Sequence, residues 1–361
     1  MNAHSRLTRL GGSTLAPHVI EAMTWASQQY FDMHELHARV GARLAELTRN
    51  EAVWVTSGAA AGLVLAAAAC IAGKDPARAA KLPRAGDALK DEIVIHRFQR
   101  NHYDNNVRTA GARFVEIGDF RTTRLWELED AIGPRTAAVL YFAGPYEGPN
   151  LLALPDILTV AKAKNIPVIV DAAAQIPPAA NLWNYTHMGA DLALFSGGKA
   201  LGGPQNTGLI AGKRDLVEAC AGLASPNYAI GRPMKVGKEA LVGLLAAVEF
   251  YLERGEAEQR EHCEVVASVL IELLSSAAGL KATRRYPNFK RQPLPEVVVE
   301  LDEARLGVSR DQLVERLAIG VPRIEVALQG RTAIVINPDT LRRGEVEIVV
   351  ARIRAAAATP Q

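Results

Sequence analysis

The chain has 361 residues, 49% of them hydrophobic, enough for two globular domains with cores of their own. Its 41 basic and 39 acidic residues nearly cancel, and no long single-sign block advertises a nucleic-acid or membrane-surface partner. Cys70, Cys220 and Cys263 are widely separated and form neither a C-x-x-C pair nor a metal-ligand spacing, the start MNAHSRLTRL lacks a signal-peptide core, and the most apolar stretch, 63–71, is too short to span a bilayer, so the expected setting is the cytoplasm, with no metal site.

In chain order, GGSTLA leads into a helix predicted from Pro17, and a second helix over 33–48 carries Leu36, Val40, Leu44 and Leu47 on one face. Arg6 and Arg9 precede them, either reaching a substrate carboxylate or simply solvated. A strand at 53–56 then runs through Ser57-Gly-Ala-Ala-Ala-Gly62 into an alanine-rich helix. A small-residue turn that feeds a helix presents backbone N–H groups and the positive end of the helix dipole, so Ser57, Gly58 and Ala59 are candidates for a phosphate cup; ordinary close helix packing is the alternative. Residues 74–91 read as a surface loop. The strand 92–95 releases a loop rich in functional side chains, 96–106, where His102 is the candidate to stack on a flat cofactor ring, with Phe98 and Tyr103 behind it.

Strands at 114–117 and 138–142 flank a helix at 124–132, and this alternation predicts an α/β domain with a mainly parallel sheet. Ligands in such sheets sit at the carboxyl ends of strands, which puts Tyr146 and Glu147 of GPYEGPN near a substrate. The apolar run 166–170 ends in Asp171, and a strand at 191–195 opens into Ser196-Gly-Gly-Lys199. The carboxylate and the amine, 28 residues apart, suit pyridoxal phosphate: the lysine forms a Schiff base with the aldehyde and the acid keeps the pyridine nitrogen protonated. A nucleotide P-loop is excluded, because position 193 is Ala and Ala200 stands where Ser or Thr belongs. Further on come a strand at 208–211 and a basic loop at 225–238, whose Arg232, Lys235 and Lys238 bind phosphate or an acidic substrate, or are only an exposed turn. A long helical pattern follows over 239–279. A small α+β region closes the chain, with a strand at 296–301, a helix opened by Ser309, a hairpin of 325–328 with 333–336, a helix at 345–354 and a frayed tail. The predicted domains are 1–245, with an N-terminal arm, and 246–361.

SGAAAG, VDAAAQ, FSGGKALGGPQNTG and IGRPMKVGKE resemble the fold-type I pyridoxal-phosphate enzymes, and within them the group related to L-seryl-tRNA(Sec) selenium transferase, from GGSTLAP to the stretch ending at Leu341. That resemblance implies the fold-type I large domain with a smaller C-terminal α+β domain. It implies Lys199 as the cofactor-bearing lysine, Asp171 on the pyridine nitrogen, Ser57, Gly58, Ala59 and Ser196 on the phosphate, and Gln175 beside the cofactor. It also implies a homodimer or larger homo-oligomer, with the Arg232 loop acting across subunits. The group's tRNA-handling members carry additional N-terminal sequence, and about ten residues precede GGSTLAP here; with the balanced charge, the expectation is a small-molecule substrate and no RNA. The implied activity is an ammonia-lyase or dehydratase acting on a hydroxylated amino acid or an amino sugar acid of the D-glucosaminate type, with a racemase or a seryl-tRNA selenium or sulfur transferase as alternatives. Arg9, Tyr146, Arg232 and Arg323 are the candidates for holding the substrate.

Overall fold

The alternating segments assemble into a seven-stranded sheet in the computed structural model, which describes residues 1–84, 86 and 89–358. The strands are β1 (Ala52–Thr56), β2 (Glu92–His96), β3 (Arg113–Ile117), β4 (Thr136–Phe142), β5 (Val168–Asp171), β6 (Leu192–Ser196) and β7 (Gly208–Gly212), in the spatial order β1-β7-β6-β5-β4-β2-β3. Strands β2 to β6 pair in parallel, while β7 runs antiparallel to both of its neighbours, β1 and β6. A parallel sheet is buried on both faces, and β4, apolar after its opening threonine, is buried at every position. Val94, Val139, Val170 and Phe195 enter one core, and Ile95, Leu140, Ile169 and Leu194 the other. The helix Ala59–Ala72 lies in the second core and is buried along almost its whole length, as its uniformly apolar sequence requires.

The described residues form two compact units, Ser13–Glu253, which holds this sheet, and Met1–Gly12 together with the chain from Arg254 onward. This differs from the predicted division in two ways. The boundary falls within a π turn, Tyr251–Gly255, that splits the expected long helix into Lys238–Phe250 and Glu256–Ser275. The first residues join the second unit because the Ala3 N–H donates to the Glu325 carbonyl at 2.9 Å and the Asn337 N–H donates to the Ala3 carbonyl at 2.9 Å.

The second unit carries an antiparallel sheet, β8 (Leu280–Arg285), β9 (Glu296–Leu301), β10 (Ala327–Gln329) and β11 (Ala333–Ile336), ordered β10-β11-β9-β8. Val297, Val299, Ile334 and Ile336 pack on Leu270, Leu313 and Val349 of its helices. Ser309 caps the helix Arg310–Ile319 in a capping box with Gln312, as its sequence predicts. The tail is not frayed through 355–357: the helix Glu345–Ala357 continues with Ala356 and Ala357 buried, and 359–361 lie outside the described residues. The predicted surface loop contains a short helix, Pro76–Ala79, capped by Asp75, and its residues 85, 87 and 88 are also outside those described.

Candidate active site

At the carboxyl edge of the large sheet the strand register sets the candidate residues in a row. Thr56 at the end of β1 lies opposite Gly208, and Gly208 lies opposite Ser196 at the end of β6. Asp171 closes β5 between Leu194 and Phe142. Ligands of doubly wound sheets bind at this edge.

The cup residues sit where the row meets the helix Ala59–Ala72. Gly58, at φ +91°, is the helix N-cap and contributes no side chain to the first-turn amides, which leaves them to an anion. Gly208 approaches so closely that a Cβ there would meet the Ala59 nitrogen at 2.6 Å, so Ser196 faces the cup across a residue that has to be glycine. The Ser57 hydroxyl donates to the Met234 carbonyl at 3.2 Å, which ties the cup to the loop bearing Arg232.

Lys199 leaves β6 on a turn packed from both sides. A Cβ on Gly198 would meet the Gln205 Cα at 2.5 Å, and the Gly197 N–H donates to the Thr207 carbonyl at 2.9 Å. Ser13 bonds the Gly198 carbonyl twice, with its N–H at 3.1 Å and its hydroxyl at 3.2 Å. Burial lowers the Lys199 amine from its ordinary pKa, against the pull of the Asp171 charge. Burial raises Asp171 in turn, opposed by the Ala173 N–H, 2.9 Å from Oδ1, and by Lys199. The lysine and the acid are therefore electrostatic neighbours, each desolvated and each favouring the other's charged form.

Tyr146 joins this group. Burial raises its phenol, and Tyr103 and Asp171 act in the same direction, so all three lie within one another's field. Gln175 is buried, packs against Gly144, and accepts from the Asn181 side chain at 2.7 Å through its carbonyl.

His102 is exposed in the turn before the helix Asp104–Thr109. Arg232 is exposed, its guanidinium 5.7 Å from the centre of the equally exposed Tyr228 ring. Arg9 and Arg323 belong to the second unit and both bond Glu325, at 3.1 Å and 2.5 Å, which holds that carboxyl below its usual pKa.

A family model described as L-seryl-tRNA selenium transferase matches residues 7–310. The chain belongs to that family. A solved structure of D-glucosaminate-6-phosphate ammonia-lyase resembles this fold with a TM-score of 0.88 at 30% identity, covering 99% of this chain and 95% of that one. The D-glucosaminate-6-phosphate ammonia lyase of Salmonella typhimurium is 31% identical, over 99% of this chain and 95% of its own length. The 5'-C-glycyluridine monooxygenase-decarboxylase of a Streptomyces species is 36% identical, over 90% of this chain and 80% of its own length. Serine palmitoyltransferase of S. paucimobilis, solved with pyridoxal phosphate and myriocin, shares the fold at a TM-score of 0.61 and 16% identity, covering 99% of this chain and 87% of that one.

In this family member, sequence reasoning overlooked two polar residues that shape the site. Ser13, in the lead-in to the first helix, pins the lysine turn. Gln99 is fully buried and bonds both the N–H and the carbonyl of Phe142. Gln99 lies in the loop 96–106, where attention fell on aromatic and imidazole side chains; the only signal for it was a carboxamide shortly after a buried strand.

Proposed function

We propose that the chain is a pyridoxal-phosphate-dependent ammonia-lyase acting on a hydroxylated amino acid or an amino sugar acid of the D-glucosaminate type, and that it yields a 2-keto acid and ammonia. The observation that carries this reading is the pairing of buried Asp171 with half-buried Lys199 at the carboxyl edge of the sheet, beside a helix start capped by glycine. These residues fit the cofactor: an amine for its aldehyde, an acid for its ring nitrogen, and the Ser57, Gly58, Ala59 and Ser196 group for its phosphate. Gln175, buried against Gly144, would lie beside the ring. Once bound, the cofactor supplies an electron sink for charge developing at the substrate Cα.

The chain's own residues move the protons. Desolvation makes the Lys199 amine easier to deprotonate than a solvated lysine, the direction that a base for the Cα proton requires. Burial raises Asp171, and the Ala173 N–H that it accepts from and the Lys199 amine act in the other direction, favouring its charged form. The β-hydroxyl leaves as water after taking a proton, and a water returns when the resulting enamine, as its imine tautomer, is hydrolysed to the 2-keto acid and ammonia. The balance closes without an oxidant. Tyr146 and Arg232 are the proposed substrate contacts within this unit. A homo-oligomer in the cytoplasm completes the proposal, supported by three free cysteines, Cys70, Cys220 and Cys263, as a reducing compartment keeps them.

The 36% identity to a monooxygenase-decarboxylase supports a second reading, oxygen-dependent loss of the carboxylate from an amino acid. One experiment separates the two. Purified protein loaded with pyridoxal phosphate is given D-glucosaminate, its 6-phosphate and a panel of amino acids, with keto acid, ammonia, carbon dioxide and oxygen uptake all measured. Keto acid and ammonia in equal amounts under argon support the lyase. Product formation that stops without oxygen, with release of carbon dioxide, overturns it in favour of the second reading.

A further inference from the structure

Gln99 follows β2 in a short 3-10 turn, Arg97–Gln99, and is completely buried. Its carboxamide does what the next residue of a paired strand would do. Oε1 accepts from the Phe142 N–H at 2.9 Å, and Nε2 donates to the Phe142 carbonyl at 3.0 Å. The same Nε2 reaches the Tyr146 carbonyl at 3.3 Å, so one side chain holds both ends of the segment 142–146. Phe142 is the register partner of Asp171, and the next N–H, of Ala143, donates to the Asp171 carbonyl at 3.0 Å. Within the segment the Phe142 and Tyr146 rings pack with centroids 5.7 Å apart. Tyr146 is half-buried, its hydroxyl has no hydrogen-bond partner among the described residues, and the Asp171 charge acts on its phenol. The phenol is held in place by its backbone and its ring, and its hydroxyl is not sealed into the core, so it is free to meet a ligand.

We propose that Gln99 is a positioning residue that sets Tyr146 against the cofactor pocket at Asp171, and that Tyr146 rather than His102 is the aromatic side chain this pocket presents to the bound cofactor and substrate. The proposal rests on the cofactor reading given above, but not on the reaction assigned there. Only the intact carboxamide meets all three backbone groups. A carboxylate at position 99 keeps the bond from the Phe142 N–H and loses the two donated bonds.

The test is a double-mutant cycle of Gln99→Leu and Tyr146→Ala, read as pyridoxal-phosphate affinity from absorbance titration and as kcat and KM on whichever substrate turns over. In the otherwise unaltered protein, Gln99→Leu is expected to weaken cofactor affinity or kcat/KM at least tenfold. In the Tyr146→Ala background the same change is expected to cost less than twofold, because the residue it acts through is gone. Equal losses in both backgrounds overturn the proposal, as does a lowered melting temperature with unchanged affinity, kcat and KM. Should Gln99→Leu fail to fold, Gln99→Glu carries the cycle. Cofactor affinity is measured without substrate, so a protein that binds pyridoxal phosphate but forms no keto acid sinks the lyase reading while the cycle still decides the role of Gln99.

Discussion

Lys199 and Asp171 are each pushed toward neutrality by burial and drawn back toward charge by the other. Removing one therefore alters the chemistry of its neighbour as well as its own. Lys199→Ala is expected to abolish both cofactor absorbance and turnover; retained turnover would remove the lysine from the mechanism. Asp171→Asn should lower kcat by about 10²- to 10⁴-fold, the range for a positioned acid or base. It should also move the titration of Lys199 to lower pH, because the charge that holds the ammonium form in place is gone. The reactivity of Lys199 with an amine reagent in cofactor-free protein, followed against pH, measures this, and a shift to higher pH would contradict the pairing. Both residues were legible in the sequence, Asp171 because it ends an apolar strand with a charge that burial makes costly unless it has a use, and Lys199 because it stands in a glycine-rich turn directly after the next such strand. Gln99 was not, since a buried carboxamide declares itself only through backbone partners that are distant in sequence.

At the scale of elements, legibility followed periodicity. The buried stretches of the parallel strands and the alanine-rich helix were readable because they are runs of apolar residues. The strand Leu280–Arg285 was not, because only Leu280 and Ala282 of LKATRR are buried, and its identity comes from pairing with Glu296–Leu301. The lysine turn shows what an element can demand beyond pattern. Gly198→Ala sets a Cβ against the Gln205 backbone, which cannot swing aside as a side-chain tip does, so the turn itself must move. A cost of about 1–3 kcal/mol in urea unfolding is expected, with a loss of cofactor loading because Lys199 moves with the turn. Ser309→Ala is the contrasting change. It removes a helix cap in the second unit, costs about 1 kcal/mol, and should leave cofactor loading unaltered. Equal loading defects in the two variants would show that general destabilisation, and not the geometry of the turn, governs binding.

For the whole molecule, two buried imidazoles tie stability to pH. His37 stacks on Trp54 with ring centres 4.3 Å apart, and its Nδ1 has no partner among the described residues; His96 bonds Thr123 through Nδ1 at 2.9 Å and its Nε2 has none among them. Burial pushes both down to about 4, from an ordinary value of 6.5. Below pH 6.5 the unfolded chain takes up protons that the folded chain refuses, so the stability present above 6.5 is lost as the pH falls toward 4. Between pH 7.5 and 5.5 the loss is about 1.3 kcal/mol for each histidine, from the linkage relation applied to these two values. Asp171, raised by burial, works in the opposite sense, so the net slope alone does not identify the source. A difference between variants does. His37→Phe keeps a ring on Trp54 and cannot titrate; the fall in unfolding free energy from pH 7.5 to 5.5, measured in urea, should shrink by about 1.3 kcal/mol relative to the unaltered protein. The Asp171 contribution is common to both proteins and cancels. An unchanged fall would mean that His37 already carries its proton in the folded state and that its buried nitrogen has found water, which would remove it from the acid sensitivity of the fold.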